Sequence, residues 1–382
     1  SALSKRDYTA AVDAYDKIEE LDAGQYSNYM KANFLRAHQL LSSGSYSSAV
    51  RYLKAASYYA AQLGTKSDPF YQLVRYQLAD TYFRIESWTD ARKTYMELYN
   101  LSALQNRPEG KLIPYNIAYC YFKAGAYSDA AKWYDSYIKS GDKLAREDAL
   151  TRRADCDFIR RDYRSAAGAY RKLLDEYPNS GNIYPYYHLG VAYALTGEKQ
   201  RRVQALSMVM DAKPGSPYYD EAMYELGRAL TDVRQYDEAL TVFDKLRGTS
   251  SNAIFRTRAM LGEGMVYRNA GNMQDALAAY KTVVREMPGS EFASDALLSI
   301  QSIYTALKTP EKYLEYVEAN NISTGSTAET RRLYYTTAEQ VYLAGNWSGA
   351  VSSFGEYLKR YPSGEHTADA YYYLASSYKQ LG

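Results

Sequence analysis

Apolar residues recur along the chain at intervals of three and four, the spacing of a helix with one buried face. Within residues 112–138, Ile113, Ile117 and Tyr121 lie four apart, and after a glycine a second series with the same period begins at Tyr127. The pattern predicts two short helices joined by a turn. Neither helix is long enough to be stable alone in water, so neighbouring segments must pack on the pair.

The same arrangement recurs along nearly the whole chain. Each copy has an aromatic anchor residue, an Ala three residues later and a large apolar residue seven after the anchor. The anchors are Tyr8, Tyr46, Trp88, Tyr127, Tyr163, Tyr236 and Trp347, with a methionine variant at Met273. The first four intervals between anchors are 38, 42, 39 and 36 residues, and such a period indicates a repeat architecture. The sequence therefore predicts an all-α solenoid of about nine to ten helix-turn-helix units.

Small residues and prolines recur at fixed distances from the anchors. In each unit the first helix precedes the anchor and the second helix follows it. A small residue nine before an anchor, such as Ala79 or Gly227, lets the two helices approach closely. A proline fifteen after an anchor, such as Pro178, ends the second helix because it has no N–H to donate. Degenerate units at 199–213 and 299–318 lack the central Ala.

Composition and charge narrow the choice of partners. The chain has 44 Tyr but only nine Phe and three Trp. Its formal net charge is +2, and the charges are mixed along the chain, which leaves no basic footprint for nucleic acid. No apolar run approaches the roughly 20 residues that span a bilayer. We therefore expect another protein as the partner, no nucleic acid, and no membrane span in this chain.

The chain carries few groups suited to catalysis or metal binding. Its three histidines, His38, His188 and His366, lie in no metal-ligand motif, and no phosphate-binding loop or nucleophile motif is present. Cys120 and Cys156 occupy equivalent places in adjacent first helices, whose packing distance of roughly 8–10 Å is too long for a disulfide. We interpret both as free and buried, and expect no enzyme activity, no cofactor and no metal site.

Several segments resemble tetratricopeptide repeats: YHLGVAYALTGE at 187–198, YELGRALTDVRQYDEALTVFDKL at 224–246 and YPSGEHTADAYYYLASSYKQLG at 361–382. Segments such as KPGSPYYDEAMYELG are similar to bacterial envelope members of this family, namely the periplasmic coordinator of the Tol–Pal system and the repeat lipoprotein of the outer-membrane β-barrel assembly machine. The resemblance covers essentially the whole chain. One departure is that the usual Trp early in the first helix is absent, with Tyr near that place.

The resemblance implies one continuous, right-handed superhelical solenoid. Longer loops divide it into the segments 1–99, 100–246 and 247–382. The first unit lacks its first helix, and the helix at 366–380 lacks a second one, so we expect the solenoid to be truncated at both ends. Such ends favour either a fragment of a longer array or docking onto a partner.

The resemblance also implies where a ligand would bind, because first helices of this family line an inner, concave surface. One register of that surface, three residues before the small residue, is rich in Tyr. The candidate groove residues, taken from this register and its neighbours, are Tyr76, Asp80, Tyr115, Tyr119, Phe122, Tyr187, Val191, Tyr224, Arg228, Met265, Arg268, Tyr335 and Tyr372. A ladder of Tyr would supply rigid, amphipathic contacts. The alternative is that these tyrosines only fill space between helices.

These features favour a non-enzymatic interaction scaffold that binds a peptide or helix of another protein in the groove. The resemblance implies a periplasmic or cell-envelope location, with attachment to the outer membrane through a part outside this sequence, and a role in envelope assembly or maintenance. Two alternatives stay open. One is a structural spacer or self-assembling array that forms homo-oligomers through its exposed ends, and the other is a cytoplasmic adaptor.

Overall fold

A computed structural model describes residues 5–64, 66–101, 104, 107–178, 180–323 and 325–382. Within these ranges the chain forms twenty α-helices and no β-strand, which confirms the predicted all-α repeat fold. The helices alternate between first and second helices of successive units. Apart from the short helix at Lys199–Ser207, each one packs mainly against the helices that precede and follow it in the chain.

The chain divides into two compact units, residues 1–201 and 202–382. The helices before the boundary are α1 (Tyr8–Asp16), α2 (Ala23–Ser42), α3 (Tyr46–Leu63), α4 (Pro69–Arg84), α5 (Trp88–Tyr99), α6 (Pro108–Lys123), α7 (Tyr127–Lys139), α8 (Arg146–Ile159), α9 (Tyr163–Glu176) and α10 (Tyr184–Thr196). The boundary falls within α11 (Lys199–Ser207). The predicted segments 1–99, 100–246 and 247–382 follow the longer loops instead, and that division stays a prediction.

The second unit continues the alternation of first and second helices. Its helices are α12 (Tyr219–Asp232), α13 (Tyr236–Thr249), α14 (Ala253–Asn269), α15 (Met273–Glu286), α16 (Glu291–Ala306), α17 (Glu311–Ala319), α18 (Thr327–Leu343), α19 (Trp347–Arg360) and α20 (Thr367–Leu381). The degenerate units supply α11 and α17, which have nine residues each and are shorter than the other second helices of this part of the chain.

The anchor residues open the second helices. Every anchor, from Tyr8 in α1 to Trp347 in α19, is the first residue of its helix. Two residues earlier the chain adopts a left-handed conformation, which reverses its direction between the helices of one unit. Glycine holds this position at Gly125 and Gly271, where φ is 76° and 87°. Arg161 holds the same position with φ 63°.

Small residues of the first helices face large residues of the second helices, as the repeat pattern predicts. A Cβ added to Gly227 would lie 2.5 Å from the Phe243 ring, and one added to Gly264 would lie 2.7 Å from the Tyr280 ring. Phe243 and Tyr280 each lie seven residues after an anchor, and both are buried. Close approach of the two helices therefore depends on the missing side chain.

The degenerate second helix α11 has a large charged residue where the regular second helices have a small one. Arg202 occupies the place of the central Ala and is buried. Its guanidinium group donates to the carboxylates of Glu225 and Asp232, with 2.9 Å between Nη1 and Asp232 Oδ2. A buried arginine needs such partners because an unpaired charge in the interior is strongly unfavourable.

Candidate functional site

The candidate groove residues of the first unit all lie on first helices and are half-buried. Tyr76 and Asp80 lie on α4, Tyr115, Tyr119 and Phe122 on α6, and Tyr187 and Val191 on α10. Half-burial is what a side chain shows when one side packs on its own helix and the other faces solvent. The structure thus leaves part of each of these side chains available for a ligand.

An aromatic cluster joins α4, α5 and α6 around Tyr119. The Tyr119 ring centroid lies 5.2 Å from that of Phe83 and 5.8 Å from that of Trp88. Lys123 places its ammonium group 5.5 Å from the Trp88 ring and 5.9 Å from the Tyr119 ring. Such cation–π contacts fix the lysine against the cluster. The result is a preformed aromatic surface with a cation at its edge.

Tyr115 is held in one orientation from several sides. Its hydroxyl donates a hydrogen bond of 2.7 Å to Asp148 Oδ2 on the neighbouring first helix. Its ring lies 5.9 Å from that of Tyr134 and 5.7 Å from that of Tyr137, which both belong to α7. Burial and the Asp148 carboxylate raise the pKa of Tyr115 above the usual range, and burial raises the pKa of Tyr76 to about 12. Both phenols therefore stay protonated well above neutral pH, and the single O–H of Tyr115 is used in its bond to Asp148.

Asp148, which accepts the hydrogen bond from Tyr115, lines a cleft of about 560 Å³ between α8 and the start of α10. The cleft is lined by Asp148, Arg152 and Tyr184 among others, and both signs of charge face it. Arg152 also lies 5.6 Å from the ring centroid of the predicted residue Phe122. Sequence reasoning missed these three lining residues because it followed only the register three residues before the small residue and positions after the small residue. Asp148 and Tyr184 lie six residues before Ala154 and Gly190, a register that the same repeat comparison could have included.

A buried carboxylate fixes Tyr184 at the far side of this cleft. Tyr170 and Tyr184 both donate to Asp155 Oδ1, at 2.6 Å and 2.8 Å. The imidazole of His188 lies over the Tyr184 ring, with 3.9 Å between centroids, and burial lowers the pKa of His188. The candidate Tyr187 places its ring centroid 5.0 Å from that of His188. Tyr187 thus belongs to an ordered aromatic group on α10.

The candidate residues of the second unit form a more open arrangement. On α12 the half-buried Tyr224 ring has the guanidinium groups of Arg228 and Arg258 at 5.9 Å and 5.8 Å from its centroid. On α14 Met265 is half-buried, and Arg268 donates to Ser302 Oγ at 3.3 Å. This part of the second unit is more basic than the aromatic cluster of the first unit.

The two remaining candidates differ sharply from each other. Tyr335 on α18 is buried, and its ring stacks on His366 with 4.1 Å between centroids. Tyr372 on α20 has 69% of its surface exposed. The register therefore does not place all of its tyrosines in one environment, and Tyr335 serves as a packing residue in the structure.

Chemistry other than binding finds little support in the described residues. Among them, no group of three or more His, Cys, Asp or Glu is arranged to hold a metal ion. Cys120 and Cys156 are free and buried, and burial raises the pKa of each thiol to about 12. A thiol with so high a pKa is a poor nucleophile at neutral pH. In the described part of the chain, no helix combines the length and the apolar character that a membrane crossing requires.

Sequence profiles of two protein families match this chain. The tetratricopeptide repeat profile matches residues 76–145, and the YfiO profile, described as an outer membrane lipoprotein, matches residues 145–315. The chain is a tetratricopeptide repeat protein that resembles these outer membrane lipoproteins. The predicted repeat family and its resemblance to an outer-membrane assembly lipoprotein are thereby confirmed.

A curated relative supports the same resemblance. The outer membrane protein assembly factor BamD of Pasteurella multocida (strain Pm70) is 24% identical over 143 residues, which cover 33% of this chain and 55% of that protein. This repeat protein thus spans about half the length of the relative.

Solved structures of other repeat proteins are similar at lower identity. YrrB, a tetratricopeptide repeat protein with an unusual peptide-binding site, is 17% identical with a TM-score of 0.43, over 54% of this chain and 98% of that one. A tetratricopeptide repeat protein from Parabacteroides merdae is 16% identical with a TM-score of 0.43, over 70% of this chain and 98% of that one.

Proposed function

We propose that this repeat protein is a non-enzymatic scaffold that binds a peptide or helix of another protein along the tyrosine-rich face of its first helices. The observation that carries the proposal is the fixed orientation of Tyr115. Its hydroxyl is bonded to Asp148, and Asp148 in turn lines the cleft between α8 and α10. A rigid aromatic side chain beside a cleft loses little conformational entropy on binding. Aromatic residues that contribute strongly to protein interfaces share this property.

The setting of this activity is the bacterial cell envelope, in the periplasm and near the outer membrane. The match of residues 145–315 to an outer membrane lipoprotein profile and the similarity to an outer membrane protein assembly factor support this setting. The role would be to bring together protein partners during envelope assembly. A cytoplasmic adaptor is the alternative.

A capture experiment tests the binding face. The chain, immobilised through one terminus, is compared with Tyr115→Ala/Tyr187→Ala/Tyr224→Ala for recovery of partners from an outer-membrane extract. We expect at least a tenfold loss of recovery, because three tyrosines of the candidate groove register are removed. Quantitative mass spectrometry of the bound proteins measures the change.

The matched control is Tyr58→Ala on the second helix α3, where Tyr58 has 60% of its surface exposed. This variant removes an exposed tyrosine away from the proposed face and should leave recovery unchanged. Circular dichroism establishes that every variant keeps its helices. Equal recovery by the folded triple variant and the wild type would contradict the proposal.

A further inference from the structure

Each of the two compact units contains a cleft between helices. Each cleft lies between the start of a first helix and the end of the second helix that follows it. In the first unit this is the cleft at α8, and in the second unit it is a cleft of about 690 Å³ between α15, α16 and α17. The second-unit cleft contains none of the candidate groove residues, so it is a separate feature.

Apolar side chains line one part of the second-unit cleft, beside polar residues such as Asn320 and Ser294. Val284 comes from α15, Leu297 and the buried Ala293 from α16, and Tyr316 from α17, while Ile322 closes the side formed by the following loop. Contact between these apolar side chains and water is unfavourable in free energy. An apolar side chain of a ligand would replace part of that water. The volume lies within the usual range of roughly 300–1,000 Å³ for ligand pockets.

The short degenerate helix α17 shapes this cleft. It ends at Ala319, and the chain then turns through Asn321, which has a left-handed φ of 52°. The backbone N–H of Ile322 donates to the carbonyl of Val317 at 2.9 Å, and this bond holds Ile322 beside the end of the helix. The interruption of the repeat period after residue 318 thus builds one wall of the cleft.

Two cations and no acidic residue line the described part of this cleft. Lys281 donates to the Tyr304 hydroxyl at 2.8 Å, and its ammonium group lies 4.8 Å from the centroid of the Tyr316 ring. Arg285 is exposed, and its ion pair among the described residues is a long contact of 3.9 Å with Glu286. An exposed pair of this length contributes little, so Arg285 retains the capacity to bind an anion, and the Lys281 ammonium group has two further N–H donors besides the one that bonds Tyr304.

The corresponding cleft of the first unit has equal numbers of acidic and basic residues in its lining. Glu147 and Asp148 line that cleft from the start of α8. The acidic residues offset Lys143 and Arg152, which also line that cleft. The net positive lining is therefore a property of the second-unit cleft rather than of the repeat in general.

We propose that the cleft between α15, α16 and α17 binds a short extended peptide of a partner protein that carries a large apolar side chain followed by an acidic residue. The apolar side chain packs against Val284, Leu297 and Ile322. The carboxylate accepts hydrogen bonds from Lys281 and Arg285, because charge-assisted bonds from two cations favour an anion over a neutral amide.

Labelled heptapeptides test this proposal. Each carries one Leu or Phe and, two positions later, one Asp, and each has a twin in which Asn replaces the Asp. We expect fluorescence anisotropy to show about fivefold tighter binding of the Asp peptides. Lys281→Met/Arg285→Met should remove this difference by weakening only the Asp peptides, whereas Leu297→Ser should weaken both sets about tenfold.

Two control variants identify the site. Lys143→Met in the cleft of the first unit should change no affinity, and neither should Tyr115→Ala/Tyr187→Ala/Tyr224→Ala. Loss of Asp-peptide binding in the tyrosine variant but not in the cleft variants would overturn the cleft site while leaving the tyrosine-rich face as a binding surface.

Equal affinity for Asp and Asn peptides, or no binding of either, would also overturn the proposal. A last arm uses phosphatidylglycerol vesicles. Vesicle binding that depends on Lys281 and Arg285, in the absence of Asp-peptide binding, would assign the cleft to lipid headgroups and would overturn the peptide site.

Discussion

Tyr170 and Tyr184 approach Asp155 from two different helices and donate to the same carboxylate oxygen. Asp155 is buried, and Arg152 Nη1 lies 3.4 Å from its other oxygen. At the scale of single residues, this carboxylate links α8, α9 and α10, where most other contacts are apolar. Polar groups at such a depth favour one arrangement of the helices because only that arrangement satisfies them.

Replacement of Asp155 by Ala should therefore lower the free energy of unfolding by about 2–4 kcal/mol, since it removes the carboxylate that accepts the hydrogen bond of the buried Tyr170 hydroxyl. Urea-induced unfolding followed by circular dichroism measures the loss. Asp129→Ala removes a carboxylate of α7 from an exposed pair with Lys132 and should cost less than about 0.5 kcal/mol. Equal losses in the two variants would show that the Asp155 network contributes no more than a surface pair.

Sequence reasoning could predict that these residues face other helices, but not that they meet. The repeat pattern identified Tyr170 as a packing residue, and it is fully buried. The bonds from Tyr170 and Tyr184 to Asp155 depend on three helices at once, and a one-dimensional period carries no information on side-chain direction beyond the register. For the same reason the pattern grouped Tyr335 with Tyr372, although one is buried and the other is exposed.

At the scale of the helix-turn-helix element, the turn depends on one left-handed residue two positions before each anchor. Glycine adopts this conformation without strain, whereas for other residues its free-energy cost is roughly 1–2 kcal/mol. Glu86, Arg161 and Arg234 adopt it with φ of 61°, 63° and 63°. The turn is therefore set by the helices on either side and by the bonds across it, such as Asp162 N–H to Asp157 O at 2.9 Å, rather than by the residue type.

Arg161→Gly should accordingly raise the free energy of unfolding by about 0.5–1 kcal/mol, because relief of the left-handed strain exceeds the added flexibility of the unfolded chain. Arg171→Gly, on the exposed side of α9, should instead lower it by about 1 kcal/mol, since glycine is a poor helix former. The urea midpoints of the two variants should move in opposite directions. A lower midpoint for Arg161→Gly would mean that the arginine side chain stabilises the turn.

At the scale of the whole molecule, each helix apart from α11 packs mainly against its neighbours in the chain, and the chain divides at residue 201. Proteins built from nearest-neighbour interfaces transmit a local loss of stability over only a few units. The sequence contained a signal for the position of the division, because Arg202 stands where the repeat has Ala. The period alone could not show whether that substitution ends a compact unit or is absorbed by it, since this depends on the partners that Glu225 and Asp232 provide.

Gly227→Val tests this locality. The added side chain meets the Phe243 ring and should force α12 and α13 apart. Hydrogen exchange followed by mass spectrometry should show at least tenfold faster exchange in α12, α13 and α14, with unchanged rates in α6, α7 and α8. Uniformly faster exchange along the whole chain would indicate that the two units unfold as one cooperative block.

The tryptophan residues also provide a fluorescence probe for each of the two compact units. The three tryptophans of the chain are Trp88, Trp133 and Trp347, and only the last lies after residue 201. With Trp347 replaced by Phe, all indole emission arises from the first unit. With Trp88 and Trp133 replaced by Phe, all of it arises from the second. Red-edge excitation, which the many tyrosines do not absorb, could then report partner binding to each unit separately and without any attached dye.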